Sequence, residues 1–234
     1  MRRRSSGWPV LIVIALAAGW TNLGYVLGTL YGEVMQVLLL FYLAPLWTVL
    51  FARGLLNEKP GAQGYLVIGL AFAGAVVMLW RPDAGLPLPQ GAADWMGLSA
   101  GVMFALVNVL SRKSEEHSIA VKSVSVFAGV TLLSLLLVIF APLEPPALPA
   151  AFAALPVAML LLLSVVILAV NLVVQHGLAH TPANQAIVIF LFELVVGALS
   201  SYFLAHESMT TQQWTGGAMI VAASLFSGKL GEHA

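Results

Sequence analysis

Residues 183–205 read ANQAIVIFLFELVVGALSSYFLA, a run whose only charged side chain is Glu193. A helix needs about 20 mostly apolar residues, rising 1.5 Å each, to cross the roughly 30 Å hydrocarbon core of a bilayer. This run is long enough. The rest of the chain agrees: 60% of its 234 residues are hydrophobic and 9% are charged, with a mean hydropathy of +0.97. A soluble domain carries roughly 25% charged residues to keep its surface wet. The solvent of this chain is therefore lipid.

Eight stretches qualify as spans: Trp8 to Leu30, Val34 to Leu56, Gly64 to Trp80, Trp95 to Ser111, Ile119 to Pro142, Leu155 to Ala179, Ala183 to Ala205, and Gln213 to Ser227. Backbone polar groups in lipid must bond within their own segment or within a closed barrel, and no ten-residue alternation of the barrel kind is present. The fold class is thus all-α, a polytopic membrane bundle of eight transmembrane helices. Turn chemistry supports the boundaries, since Lys59-Pro60-Gly61, Arg81-Pro82-Asp83, Pro145-Pro146 and Thr181-Pro182 all fall between spans. Links are short, so neighbouring helices run antiparallel. The longest, residues 82–94, divides the chain into halves.

Lysine and arginine stay on the cytoplasmic side of a membrane. With the N-terminus inside, nine basic residues face inward (Arg2, Arg3, Arg4, Arg53, Lys59, Arg112, Lys113, Lys122, Lys229) against Arg81 alone outside. That asymmetry predicts a bacterial cytoplasmic (inner) membrane protein with both termini in the cytoplasm. The opening Met1-Arg2-Arg3-Arg4 and the later Ala15-Leu16-Ala17 imitate a cleaved secretory signal, but the apolar stretch runs on to Leu30, past the 7–15 residues of a signal core. The absence of cysteine excludes disulfides and thiolate metal centres, and zero net charge gives no field to draw nucleic acid.

Sliding the chain by 149 residues against itself pairs Asn22 with Asn171, Gln36 with Gln185, Glu58 with Glu207, Gln63 with Gln212, and Gly28 with Gly177. Polar coincidences are informative in so apolar a chain. An odd number of helices separates the copies, so the second lies upside down. Inverted repeats are the architecture of secondary transporters, with the substrate near the midplane; a duplicated bundle with no transport role is the alternative. The segments Leu43–Lys59 (LAPLWTVLFARGLLNEK) and Phe190–Glu207 (FLFELVVGALSSYFLAHE), each followed by a Gly/Ala-rich helix, resemble the EamA-type repeats of the drug/metabolite transporter superfamily. The resemblance implies two inverted five-helix repeats that move small metabolites by alternating access. Residues 1–81 then form a first, three-helix repeat, 82–94 a periplasmic linker and 95–229 a second, five-helix repeat. The departures are eight spans rather than ten, Leu194 where proline is common, and Asn57 and His206 in place of the glycine before each Glu. A start codon assigned too late, or a truncated product, would account for the first.

Glu193 is the eleventh residue of its span, about 16 Å in and near the midplane. A charged acid there costs about 2.5–3.5 kcal/mol, so it should face the bundle interior or a wet cavity. Low dielectric disfavours the ionised form of a carboxyl, which suits one to take up and release a proton. Glu193 is thus the proton-coupling candidate, with a substrate-amine contact or a structural hydrogen bond as alternatives. Asn171 and Gln175, on a stripe with Ser164, and their counterpart Asn22 with Tyr25 one turn on, are expected to point inward as interhelical glue or solute contacts. Pro45 should kink the second span beside a site, with Tyr42 and Trp47 as an aromatic wall. His176 is a gate candidate near the cytoplasmic exit. Asn108 is expected to act in capping. Glu58 and Glu207 read as helix-end ion pairs, and Trp8, Tyr31, Trp80, Trp95 and Trp214 as interfacial anchors.

Gly97-Leu98-Ser99-Ala100-Gly101 matches G-x-S-x-G, but it lies inside a span with no preceding strand and no paired His. No H-E-x-x-H, Walker A or dinucleotide fingerprint occurs. The expectation is therefore no enzyme, no metal and no cofactor. Its partners are a small organic solute, amino-acid-like or drug-like, and the lipid bilayer, with a homodimer allowed. The protein is expected to be a secondary carrier, working in efflux and either proton-coupled or exchanging. The substrate-binding set is Asn22, Tyr25, Tyr42, Trp47, Asn171, Gln175 and Glu193, and a truncated, non-transporting scaffold is the alternative.

Overall fold

The computed structural model describes residues 7–80, 88–140, 157–204 and 209–227. Arg81, His206, Glu207, Lys229 and the N-terminal arginines lie outside them. All regular structure among the described residues is helical. In chain order the helices are α1 (Trp8–Tyr31), α2 (Val34–Phe41), α3 (Ala44–Phe51) continuing into one wide π-helical turn (Ala52–Leu56), α4 (Ala62–Leu79), α5 (Ala92–Lys113), α6 (Ile119–Phe140), α7 (Val157–His180), α8 (Ala183–Leu204) and α9 (Thr211–Ser227). Among the described residues seven spans are long and apolar enough to cross a membrane; Gln36–Leu56, which takes in most of α2 and all of α3, is one of them. The eighth stretch, α9, has 17 residues, at the short end of the spanning range.

The outer surface suits lipid and nothing else. Val138, Phe140, Leu161 and Val173 are 71%, 80%, 63% and 72% exposed, and every residue of α7 from 159 to 170 is exposed. In water such a surface would drive association.

Without a hydrophobic force between helices in lipid, close packing depends on small residues. A Cβ added at Gly19 of α1 would lie 2.5 Å from the Gly129 carbonyl oxygen of α6. The pair α4 and α9 is equally tight: a Cβ at Gly74 would come within 2.8 Å of the Gly216 oxygen, and one at Gly216 within 2.6 Å of the Gly74 oxygen. Gln212 at the start of α9 donates to the Val77 and Trp80 carbonyls, both at 2.6 Å, at the end of α4. These helices therefore cross antiparallel.

The G-x-S-x-G run is used for packing. Gly97 and Gly101 sit against Val37 and Phe41, and the Ser99 hydroxyl accepts from Trp20 Nε1 at 3.0 Å. Helix α5 begins at Ala92, three residues before the expected span, because the Asp94 carboxylate accepts from the Gln90 amide at 2.9 Å and places negative charge in the first turn.

Candidate functional site

The second span breaks where proline dictates. Pro45 has no N–H to offer the carbonyl four residues earlier, and its ring crowds that carbonyl. That residue is Phe41, the last of α2. The gap is bridged by a tighter Leu43 N–H to Leu40 carbonyl contact at 3.3 Å, and the helix resumes at Ala44. The Phe41 carbonyl lodges against Gly101 of α5, where a side chain would not fit. Tyr42 falls in the break, buried at 6% exposure.

From that position the Tyr42 hydroxyl donates to Glu193 Oε1 at 2.5 Å, 151 residues away in sequence. Glu193 is mid-way along α8. Its Oε1 is held by tyrosine while the residue as a whole remains exposed. Aromatic rings from four helices gather beside the pair. Tyr25 of α1 meets Phe41 edge-on at 5.1 Å between centroids, and Phe41 meets Tyr42 at 5.3 Å. Phe41 also contacts Phe104 of α5, and Phe104 contacts Phe190 of α8, both at 5.4 Å. Edge-to-face rings present both positive edges and negative faces, a surface suited to organic rings and cations.

Three of the predicted residues, Tyr25, Tyr42 and Glu193, therefore come together. Trp47 lies one turn on in α3, its indole Nε1 buried without a hydrogen-bond partner among the described residues; the adjacent Thr48 is fully buried with its hydroxyl in the same condition. On α7, Gln175 is 2% exposed and Asn171 half-buried, with Gln175 Oε1 and Asn171 Oδ1 both unpartnered among the described residues. Two expectations of inward placement do not hold. Ser164 is exposed and satisfies its hydroxyl on the Leu160 carbonyl at 2.8 Å, and Asn22 is exposed on α1. His176 is exposed and stacked on His180 at 4.4 Å. Asn108 is 3% exposed with Nδ2 unpartnered, so it does not cap α5.

Phe41, Phe104 and Phe190 were not singled out from the sequence. Phe41 and Phe190 carried a signal, being next to Tyr42 and one turn before Glu193; Phe104 carried none. Polar recesses lie at the two ends of the Gln36–Leu56 span. One of about 590 Å³ takes in Glu33, Gln36 and Asp94, and one of about 400 Å³ takes in Glu58, Arg112, Asn184 and Gln185.

The model of the EamA-like transporter family matches residues 1–80 and 91–228. A solved structure described as "Crystal structure of protein" superposes with a TM-score of 0.73 at 19% identity, covering 98% of this chain and 77% of that one. At that identity the likeness concerns the fold alone. None of the curated proteins matches the chain.

Proposed function

The chain belongs to the EamA-like transporter family, and from that premise we propose that it is a secondary carrier moving a small organic solute, amino-acid-like or drug-like, by alternating access. The observation that carries this reading is the Tyr42–Glu193 hydrogen bond, which joins a broken span in the first half of the chain to the lone mid-membrane acid in the second. Intramembrane acids and broken helices are the parts from which carriers build solute and ion sites. Glu193 binds the coupling proton or the solute amine, in exchange with each other. Tyr25, Tyr42 and the phenylalanines around them form the wall for the organic part of the solute, and Trp47, Asn171 and Gln175 supply hydrogen bonds, whereas Asn22, exposed on α1, takes no part.

The inverted-repeat reading, with α9 as an eighth span, draws support from α4 and α9. These are counterparts under the 149-residue shift, and their antiparallel crossing, with Gly74 and Gly216 each against the other's backbone, is what a two-fold axis in the membrane plane would generate. The nine-to-one distribution of basic residues supports our reading that the Lys59–Arg112 end faces the cytoplasm of a bacterial cell, and efflux is the direction we propose.

A second reading, a non-transporting scaffold, is favoured by one feature: every residue of α7 from 159 to 170 is exposed, with only light contacts to other described helices. Flux decides between them. In proteoliposomes under an imposed proton gradient, uptake of a mixed pool of amino acids and organic cations should be pH-dependent, and Glu193→Gln should abolish that dependence while the protein stays folded. Unchanged flux and pH profile in the variant would reject the role of Glu193, and no flux in the parent protein would favour the scaffold.

A further inference from the structure

We propose that Glu58 and Arg112 form a latch closing the Lys59–Arg112 end of the solute path, so that this end opens only when the Glu58 carboxylate leaves the N-terminus of α8. The inference rests on the carrier reading above. It starts from the π turn Ala52–Leu56, which ends at Asn57 in the left-handed conformation (φ 57°). Asparagine tolerates that conformation better than most residues. The reversal lets the Glu58 amide bond back to the Ala52 carbonyl at 3.2 Å and turns the side chain across the bundle. There Glu58 Oε2 accepts from the Ala183 amide at 3.1 Å. Ala183 opens α8, where amides have no partner inside the helix and negative charge is favoured.

Glu58 Oε1 lies 3.8 Å from Arg112 Nε. Arg112 in turn donates through Nη1 to the Ala179 carbonyl in the last turn of α7 and approaches Glu115 Oε1 at 3.5 Å. A cation at the end of α7 and an anion at the start of α8 each complement the helix dipole they meet. One carboxylate–guanidinium pair thus ties the α3–α4 link to α5, α7 and α8. The Glu58 and Arg112 side chains are 24% and 25% exposed, so the pair is partly withdrawn from solvent rather than being a freely solvated surface contact.

The pair lines the recess of about 400 Å³, into whose lining Asn184 brings a buried Oδ1 with no hydrogen-bond partner among the described residues. Glu193 is ten residues beyond Ala183 along α8, a rise of about 15 Å. A solute leaving Glu193 toward this end passes between α5, α8 and the α3–α4 link, which are the elements the pair holds together. The contact with a helix N-terminus also gives the latch a discrete open state, because the amide and the carboxylate are each satisfied by water when parted.

The chain has no cysteine, so a single introduced thiol can report on the passage. Val188, fully buried on α8 between the latch and Glu193, is the probe position. Val188→Cys is labelled with a membrane-impermeant methanethiosulfonate applied to the Lys59–Arg112 side of oriented vesicles, without solute. Adding Glu58→Gln or Arg112→Gln should raise the labelling rate about tenfold, equivalent to ~1.4 kcal/mol taken from the closed state. Labelling of a Gln90→Cys control from the opposite side should not change. An unaltered rate at Val188→Cys in both latch variants overturns the proposal, as does a parallel rise at Gln90→Cys, which would mark general loosening. The labelling needs no flux. A faster rate in a protein that moves no solute would sustain the closure while rejecting the carrier, and normal flux with unaltered labelling would reject the latch alone.

Discussion

Replacing Tyr42 by phenylalanine removes one oxygen from a buried ring and leaves its packing against Phe41 in place. What is lost is the hydrogen bond to Glu193 Oε1. A hydrogen bond to a charged group contributes about 1.5–3 kcal/mol, and an acceptor left buried and unserved adds a desolvation penalty. Glu193 is exposed as a residue, so the freed oxygen is not sealed inside the packed core and the lower end applies, about 1.5 kcal/mol. The clean measurement is a double-mutant cycle in unfolding from mixed micelles. Tyr42→Phe should destabilise the parent by about 1.5 kcal/mol and a Glu193→Ala background by less than about 0.5 kcal/mol, because the partner is already gone. Glu193→Gln should give an intermediate loss, since its amide oxygen still accepts but without charge. Equal losses in the parent and Glu193→Ala backgrounds would mean that the hydroxyl and the carboxylate do not interact, and the site as described would fall.

Gly216→Val should separate α4 from α9, because the added atoms meet the Gly74 and Met78 backbone; overpacking of this kind costs about 1–3 kcal/mol, and thermal unfolding in detergent should show it. Gln212→Ala leaves the Val77 and Trp80 carbonyls without that donor, and the melting temperature should fall by an amount equivalent to about 1–2 kcal/mol. Asn171→Leu should leave stability unchanged or raised, because Asn171 Oδ1 has no partner to lose among the described residues; solute affinity should nevertheless drop about tenfold, the worth of one neutral hydrogen bond of ~1.4 kcal/mol. Loss of stability with unchanged affinity would assign Asn171 to packing. Single cysteines at Lys59 and Lys113 should label from one side of the membrane and one at Gln90 from the other, and a shared side would refute the topology.

The core of the site was legible because its residues break local rules. Glu193 interrupts an uncharged run, Pro45 interrupts a span, and both violations are affordable only where other elements make them good. Sequence placed the kink at the proline, whereas the ladder fails at Tyr42 and Leu43, because the carbonyl that proline leaves unserved lies four residues upstream. Phe104 was illegible for the opposite reason: on α5 it is one apolar residue among many, and only tertiary packing brings it to Phe41 and Phe190. The repeat predicted equivalent residues but not equivalent surroundings. Gly28 packs against Ala93 and Val37, while its counterpart Gly177 has open space about it. Asn22 is exposed and its counterpart Asn171 half-buried.

That difference has one physical source, since a shift along the chain equates positions within a helix whereas burial is set by neighbours. Helix α1 lies along both α5 and α6; its counterpart α7 touches α5, α6 and α8 only lightly. Glycine brings backbones together between α1 and α6, between α2 and α5, and between α4 and α9. At Gly177 of α7 nothing among the described residues comes within 4 Å of where a side chain would begin. Tightly packed seams resist sliding, because interiors at crystal-like density shift between discrete arrangements rather than deform continuously. Lightly packed elements open at lower free energy. The Tyr42–Glu193 pair joins two separately held parts, with tyrosine in a break pinned to α5 and the acid on α8, which packs on α3, α4 and α9 and only lightly on α7. A movement of α8 against the α2–α3 break would therefore act on this hydrogen bond, which joins the two, while leaving the three glycine seams closed.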